Sequence, residues 1–197
     1  MSIIPKQSEK MLASIIKWNP WTWITLLYAS QVLGAMLVTV ALGLSPSDLG
    51  LPLSLLAAGA IHALLVSYRN PPANSGVKHH WIPAIIYSAF IFSLSNESFA
   101  DTQVSVDVNI FHPIEYAVLA VLFCWMWHTM LLSGRVWPLI ARVLFGGMIF
   151  ALLDEFHQSF IAGRDASVMD LVLDFIGLCI GCAVLLTGRY ILTSGRK

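Results

Sequence analysis

Long apolar runs dominate the chain, and polar residues are confined to short stretches between the runs and to a few positions near their ends. A helix needs about 20 mostly apolar residues, with about 17 as a lower limit, to cross the ~30 Å hydrocarbon core of a bilayer. Six runs approach or exceed that length, at 21–43, 51–67, 81–95, 113–132, 137–161 and 167–192. The pattern therefore predicts an all-α polytopic membrane helix bundle with six transmembrane helices.

The second and third runs fit the pattern least well. Run 51–67 contains His62, and run 81–95 is short, so a bundle of four or five spans is the alternative. The polar segment 1–17 mixes lysines with isoleucine, leucine and methionine, which predicts an amphipathic helix on the cytoplasmic membrane surface. We treat residues 1–197 as a single membrane domain, with two N-terminal spans in 21–67 and a four-span core in 81–192.

Composition supports the membrane assignment. Hydrophobic residues make up 57% of the chain and charged residues 11%, against about 45–50% and about 25% in an average soluble domain. These values exclude a water-soluble monomer. The 11 Lys and Arg residues balance the 11 Asp and Glu residues, so no basic excess favours nucleic acid as a partner.

The positions of the charges predict an orientation. If the N-terminus is cytoplasmic and all six runs span the membrane, every Lys and Arg except Arg164 falls on the cytoplasmic side, as membrane topology favours. Both termini are then cytoplasmic. Every acidic residue except Glu9 falls on the outer loops or at the outer ends of spans. The preference of Lys and Arg for the cytoplasmic side does not require the acidic residues to lie on the opposite side. We therefore expect a functional site on the extracytoplasmic side.

Ionisable groups inside a span cost about 2.5–3.5 kcal/mol each on insertion scales, so they usually face the bundle interior and mark a site. Three clusters of this kind lie near the outer ends of the last three runs. Their candidate site residues are His112, Glu115, Tyr116, Asp154, Glu155, His157, Gln158, Arg164, Asp170 and Asp174.

Helical spacing indicates where some of these residues point. Asp154 and Gln158 share one side of a helix with Gly147 and Ala151, and small residues allow a second helix to approach closely, so this side should face the bundle. Ser167 begins a stretch with the form of a capping box, with an acidic residue three positions later.

The last run carries a second stripe of acidic and small residues. Asp170, Asp174, Gly177 and Gly181 recur at helical spacing on one face, which favours close packing against a neighbouring helix of the same chain.

The motifs His112-Pro-Ile-Glu-Tyr116, Asp154-Glu-Phe-His-Gln158 and Gly163-Arg164 with Asp170 and Asp174 resemble successive signature blocks of the VanZ-like family of bacterial membrane proteins. The resemblance covers the third to sixth spans and implies a multi-span protein of the bacterial inner membrane. The family's founding member is associated with low-level teicoplanin resistance. Three features depart from the family pattern: no Asp-Lys pair precedes His112, Ala162 replaces a common Pro, and Asp174 replaces a usual Asn.

Our leading functional hypothesis is a site that binds the headgroup of a membrane lipid or cell-envelope precursor. Arg164 would hold a phosphate, since guanidinium binds it in bidentate fashion, and a divalent cation could bind at Asp154, Glu155 and Asp174. So many carboxylates cannot all be ionised close together unless a cation or protons balance them.

Two other classes of function remain open. The chain could be a non-catalytic accessory or scaffold subunit that docks to partner membrane subunits through its first two spans. An enzyme is less favoured, because Glu155 and His157 are two residues apart and so point to different sides of a helix, with no Ser or Cys nucleophile beside them. The sequence assigns no catalytic residue.

Overall fold

The computed structural model describes residues 19–44, 49–69, 77–97, 108–164 and 166–194. Within these ranges the chain forms seven α-helices and two short 3₁₀-helices, and no strand. The α-helices are α1 (Pro20–Ala41), α2 (Gly50–Arg69), α3 (Trp81–Ser95), α4 (His112–Met126), α5 (His128–Leu132), α6 (Val136–Gln158) and α7 (Val168–Ser194). The segment 1–17, predicted to be an amphipathic helix, lies outside the described residues.

Four helices are long and apolar enough to cross a bilayer: α1, α2, α6 and the part of α7 from Val168 to Gly188. Helices α3 and α4 are equally apolar, but each has only 15 residues and is about 22 Å long. The all-helical class is therefore confirmed, and the long apolar helices fit a membrane protein. The count of six spans and the orientation of the termini stay predictions.

The predicted fourth span is wrong as a continuous helix. Run 113–132 breaks at Trp127, where φ is −101° and ψ is 30°, so α4 ends at Met126 and the short α5 follows. The Trp127 ring packs against Phe123 with 5.7 Å between ring centroids. Hydropathy cannot locate such a break, because the residues on both sides of it are apolar.

Helix α4 lies at the centre of the bundle and makes its closest contact with α7. A Cβ atom added to Gly177 would lie 2.5 Å from the carbonyl oxygen of Pro113, and one added to Gly181 would lie 2.7 Å from Ala120 Cβ. On the other side of α7, Leu178 fills the space that a side chain at Gly147 would need. The predicted close packing of the glycine face within the chain is confirmed.

Helices α1, α2 and α3 form the other half of the bundle. The buried Tyr28 ring occupies the space next to Gly59, and its hydroxyl donates a hydrogen bond to the carbonyl of Pro83. The Tyr87 hydroxyl donates to Gln31 Oε1 at 3.3 Å. These contacts hold the first two helices against the third.

The outer surface of the bundle is apolar. Large side chains such as Val40, Phe145 and Trp137 are exposed, Trp137 to 80% of its full area. Soluble monomers rarely expose large contiguous apolar patches, and a bilayer would cover such a surface.

A group of rings closes the end of the bundle at which α1 and α3 begin. His80 stacks on His128 with 3.9 Å between ring centroids, and the neighbouring rings pack at 4.7–5.9 Å. We call this group the histidine–tryptophan cluster. Its members are Trp21, His62, His79, His80, Trp125 and His128.

Candidate functional site at the polar end of the bundle

The opposite end, where α3 and α6 finish and α4 and α7 begin, holds a buried polar network. Asp154 is 1% exposed and accepts two hydrogen bonds, from Ser95 Oγ at 2.7 Å and from Gln158 Nε2 at 3.1 Å. Gln158 Nε2 also donates to Ser95 Oγ at 3.3 Å. The predicted inward side of α6 is confirmed, because Gly147, Ala151, Asp154 and Gln158 are all buried. The network ties α3 to α6.

A second pair of contacts connects α4, α6 and α7. His112 Nδ1 donates to Asp174 Oδ1 at 2.9 Å, and both side chains are buried. The Ser167 backbone N–H donates to Glu155 Oε2 at 2.8 Å. Asp174, which the capping pattern does not explain, therefore orients a histidine on the neighbouring helix.

The serine half of the predicted capping box at the start of α7 is present. The Ser167 hydroxyl accepts from the Met169 N–H at 3.1 Å, as expected for an N-cap. The Ser167 N–H, which a capping box would pair with the acidic residue three positions later, is bonded to Glu155 on α6. This contact links the start of α7 to α6.

Arg164 reaches the polar end through a tight turn. The Arg164 N–H donates to Ile161 O at 3.1 Å, and Gly163 between them has φ of 81°, the left-handed conformation that favours glycine. Ala162 occupies the preceding turn position, where proline is favoured. The guanidinium donates to the carbonyls of Glu97 at 3.1 Å and Leu94 at 3.3 Å, so Arg164 caps the end of α3.

The polar end borders a cavity of about 260 Å³. Its polar wall includes Glu115 from α4, Asp154 and Gln158 from α6, and Arg164. Its apolar wall comes largely from α1, the start of α2 and α3. The apolar lining residues include Val38, Leu42, Leu49, Leu53, Phe90 and Leu94.

Three candidate site residues on three helices bring potential ligand atoms close together. One ligand atom from each of His112, Glu155 and Asp170 lies within 4.8 Å of the other two, and all three residues are buried. The sequence points instead to Asp154, Glu155 and Asp174. In the structure Asp154 is hydrogen-bonded to Ser95 and Gln158, and Asp174 to His112.

His157 lies apart from this group. It stacks on Phe92 with 4.1 Å between ring centroids, and its Nε2 donates to Asn96 Oδ1 at 2.9 Å. The candidate site residues did not include Ser95, the hydrogen-bonding partner of Asp154. They also omitted Gln31 and Gly34 of α1, which line the cavity. A lone serine at a helix end and a glycine in an apolar run carry little signal without their tertiary neighbours.

Tyr116 is fully buried, and no hydrogen-bonding partner for its hydroxyl is present in the part of the chain that the structure describes. A buried hydroxyl without a partner costs about 1–3 kcal/mol. We therefore expect Tyr116→Phe to leave the free energy of unfolding unchanged or to raise it by about 1 kcal/mol. Tyr28→Phe, which removes the donor to the Pro83 carbonyl, should lower it by a similar amount. Thermal unfolding of both variants in the same detergent checks this expectation. A greater loss of stability in Tyr116→Phe than in Tyr28→Phe would contradict it.

A family model described as VanZ/LLP1 matches residues 21–189. The chain belongs to the VanZ/LLP1 family. The match begins at α1, so the VanZ/LLP1 region includes the first two helices as well as the motif-bearing ones and contains both walls of the cavity. No curated protein and no solved structure matches the chain.

Proposed function

We propose that this VanZ/LLP1 protein binds the headgroup of a membrane lipid or a lipid-linked cell-envelope precursor in the cavity at its polar end. The observation that carries the proposal is the cavity wall, which changes from leucine, valine and phenylalanine to carboxylate, amide and guanidinium groups. A cavity wall that changes from apolar to polar along its length is complementary to an amphiphilic molecule. A volume of about 260 Å³ suits a headgroup, with the rest of the lipid lying in the bilayer.

The charges of the lining favour a particular headgroup chemistry. Glu115 and Asp154 supply carboxylates, and Arg164 supplies the positive charge among the polar groups of the wall. A headgroup that pairs an anionic group with an ammonium or several hydroxyls could satisfy both signs. A purely anionic headgroup would bring like charges together at the two carboxylates, which is unfavourable in a partly buried site.

We also propose how the protein sits in the membrane. The six helices α1, α2, α3, α4, α6 and α7 would all span a bacterial inner membrane as one domain, with both termini cytoplasmic and the cavity toward the extracytoplasmic side. Basic residues support this orientation, since Arg164 is the one Lys or Arg that it would place outside. The short α4 is largely buried within the bundle, whereas the short α3 exposes Trp81, Ile85 and Phe92.

Filling the cavity is the direct test. Gly34 lines the cavity, and a Cβ atom there would meet no atom within 4 Å, so Gly34→Leu should occupy the space without disturbing the helix packing. We expect this variant to lose most of the co-purifying lipid, measured by native mass spectrometry after gentle detergent extraction. Gly188→Leu is the matched control: Cβ there also meets nothing, but residue 188 does not line the cavity.

Glu115→Gln tests the headgroup end separately. It keeps the side-chain shape but removes one carboxylate charge, so it should change which lipid headgroup is retained more than how much lipid is retained. Equal lipid content in the wild type, Gly34→Leu and Gly188→Leu proteins would contradict the proposal. A stoichiometric protein partner with no retained lipid would favour the accessory-subunit hypothesis instead.

A further inference from the structure

A potential metal centre lies beside the cavity and shares one lining residue with it, His112. His112 begins α4, Glu155 lies in the last turn of α6, and Asp170 lies in the first turn of α7. Their ligand atoms come within 4.8 Å of one another, and each residue is at least nine-tenths buried. Burying two carboxylates on neighbouring helices is costly unless a cation balances them.

The strongest independent sign of a ligand is one oxygen of Glu155. Glu155 is 5% exposed, and its Oε2 accepts from the Ser167 N–H at 2.8 Å. Its Oε1 is buried and has no hydrogen-bonding partner among the described residues. A buried carboxylate oxygen left without a donor is expensive, and a cation would satisfy it.

Asp174 supplies a second sign. It accepts from His112 Nδ1 at 2.9 Å, which holds the imidazole in one orientation and leaves Nε2 as the nitrogen that can coordinate a metal. Histidines that bind metals usually donate their other ring N–H to a carboxylate or carbonyl in this way. The contact also explains why Asp174 is buried without belonging to the group of close ligand atoms.

From this geometry we infer that His112, Glu155 and Asp170 bind a divalent first-row transition ion such as Zn²⁺, with Asp174 as the positioning residue for His112. One imidazole nitrogen and two carboxylate oxygens suit such ions, whereas Mg²⁺ and Ca²⁺ prefer oxygen ligands throughout. Two carboxylates neutralise a divalent charge. Zinc ligands at ~2.0–2.2 Å stand about 3.4 Å apart, so the three side chains would draw slightly closer on binding.

The metal alone tests the inference. Full-length, tag-free protein is stripped with a chelator in detergent and then titrated with Zn²⁺, Mn²⁺, Mg²⁺ and Ca²⁺, with bound metal measured by elemental analysis. We expect one Zn²⁺ per chain and little Mg²⁺ or Ca²⁺. Since the ligands join three helices, Zn²⁺ should also raise the midpoint of thermal unfolding by several degrees.

Glu155→Gln is the most informative variant. Its amide oxygen can still accept from the Ser167 N–H, which turns the NH₂ group toward the metal and removes that ligand with little change of shape. We expect at least a tenfold loss of Zn²⁺ affinity, and the same for Asp170→Asn. Glu115→Gln is the matched control, since it removes a nearby carboxylate outside the ligand group and should change affinity less than threefold.

Cobalt gives a second readout that does not depend on stability. Co²⁺ bound by a nitrogen and carboxylate oxygens has visible absorption bands, which Glu155→Gln should abolish or shift. Zn²⁺ binding that is unchanged in both Glu155→Gln and Asp170→Asn would overturn the inference and would point to the histidine–tryptophan cluster at the opposite end. Gly34→Leu leaves all three proposed ligands unaltered, although His112 also lines the cavity, and Glu155 and Asp170 lie outside the lining, so the two proposals can fail separately.

Discussion

Gly181→Ala is expected to destabilise the bundle by about 3 kcal/mol or more, at or above the upper end of the range for overpacking a close contact. A Cβ atom at this position would overlap the Ala117 carbonyl oxygen and lie 2.7 Å from Ala120 Cβ, and neither backbone nor Cβ atoms can rotate away. Helix α7 must therefore move away from α4. Thermal or denaturant unfolding in detergent, followed by loss of monodisperse protein, measures the effect.

Gly188→Ala is the control for this substitution. It lies on the same helix, but its added Cβ meets nothing within 4 Å, so the higher helix propensity of alanine should leave stability unchanged or raise it slightly. Gly177→Ala should resemble Gly181→Ala, because its Cβ would lie 2.9 Å from Pro113 Cα. Similar stability in all three variants would contradict the close α4–α7 contact.

The same displacement should reach the polar end. His112 is next to Pro113 on α4, and its partner Asp174 lies one turn before Gly177 on α7. A shift of α7 that relieves the overlap would lengthen the 2.9 Å contact between them. Gly177→Ala is therefore expected to weaken Zn²⁺ binding as well as stability.

Gln158→Glu is expected to lower the free energy of unfolding by about 3 kcal/mol or more, the cost of an uncompensated buried charge. Gln158 Nε2 donates to Asp154 Oδ2 at 3.1 Å, so the variant would place a second carboxylate against the first in a site that is 1–2% exposed. Like charges at this separation cannot both stay ionised without a large energetic cost.

A role-swapping double variant separates charge repulsion from general disruption. In Asp154→Asn with Gln158→Glu, the donor and acceptor exchange positions while both side chains keep their shapes. We expect Asp154→Asn to restore most of the stability that Gln158→Glu removes, with a coupling energy of about 2–3 kcal/mol in a double-mutant cycle. Gln158→Leu, which removes the donor without adding charge, should cost less than Gln158→Glu. The polar network would not have the described role if the double variant were no more stable than Gln158→Glu alone.

Much of the architecture could be predicted from local patterns. The bounds of α3 match the third apolar run, and α1 and α2 lie close to the first two. The inward side of α6 followed from small and polar residues at helical spacing, as did the close packing of the glycine face of α7 within the chain, although not the identity of α4 as its neighbour. These features depend on periodicity and residue size, which the sequence carries directly. The break at Trp127 does not, since apolar residues continue through it.

The candidate site could be predicted from the sequence only in part. The motifs identified the polar residues of α4, α6 and α7, because ionisable groups in apolar segments are conspicuous. The hydrogen-bonding partners of these residues could not be predicted from the sequence. The hydrogen bonds of Asp154, Asp174 and Glu155 reach partners 59, 62 and 12 residues away in the chain. The spacing also gave no sign that Glu155 on another helix accepts from the Ser167 N–H at the start of α7.

By itself, the sequence determined that this VanZ/LLP1 protein is an apolar helical bundle whose acidic residues gather near a few helix ends, because hydropathy and helical periodicity are local properties. Only the tertiary structure decided which of those residues meet. It placed His112, Glu155 and Asp170 together and made α1 part of the cavity wall. It also showed that Asp154 accepts hydrogen bonds from Ser95 and Gln158. Helix packing sets these distances between residues far apart in the chain, and the glycines that permit the close approach lie outside the motifs.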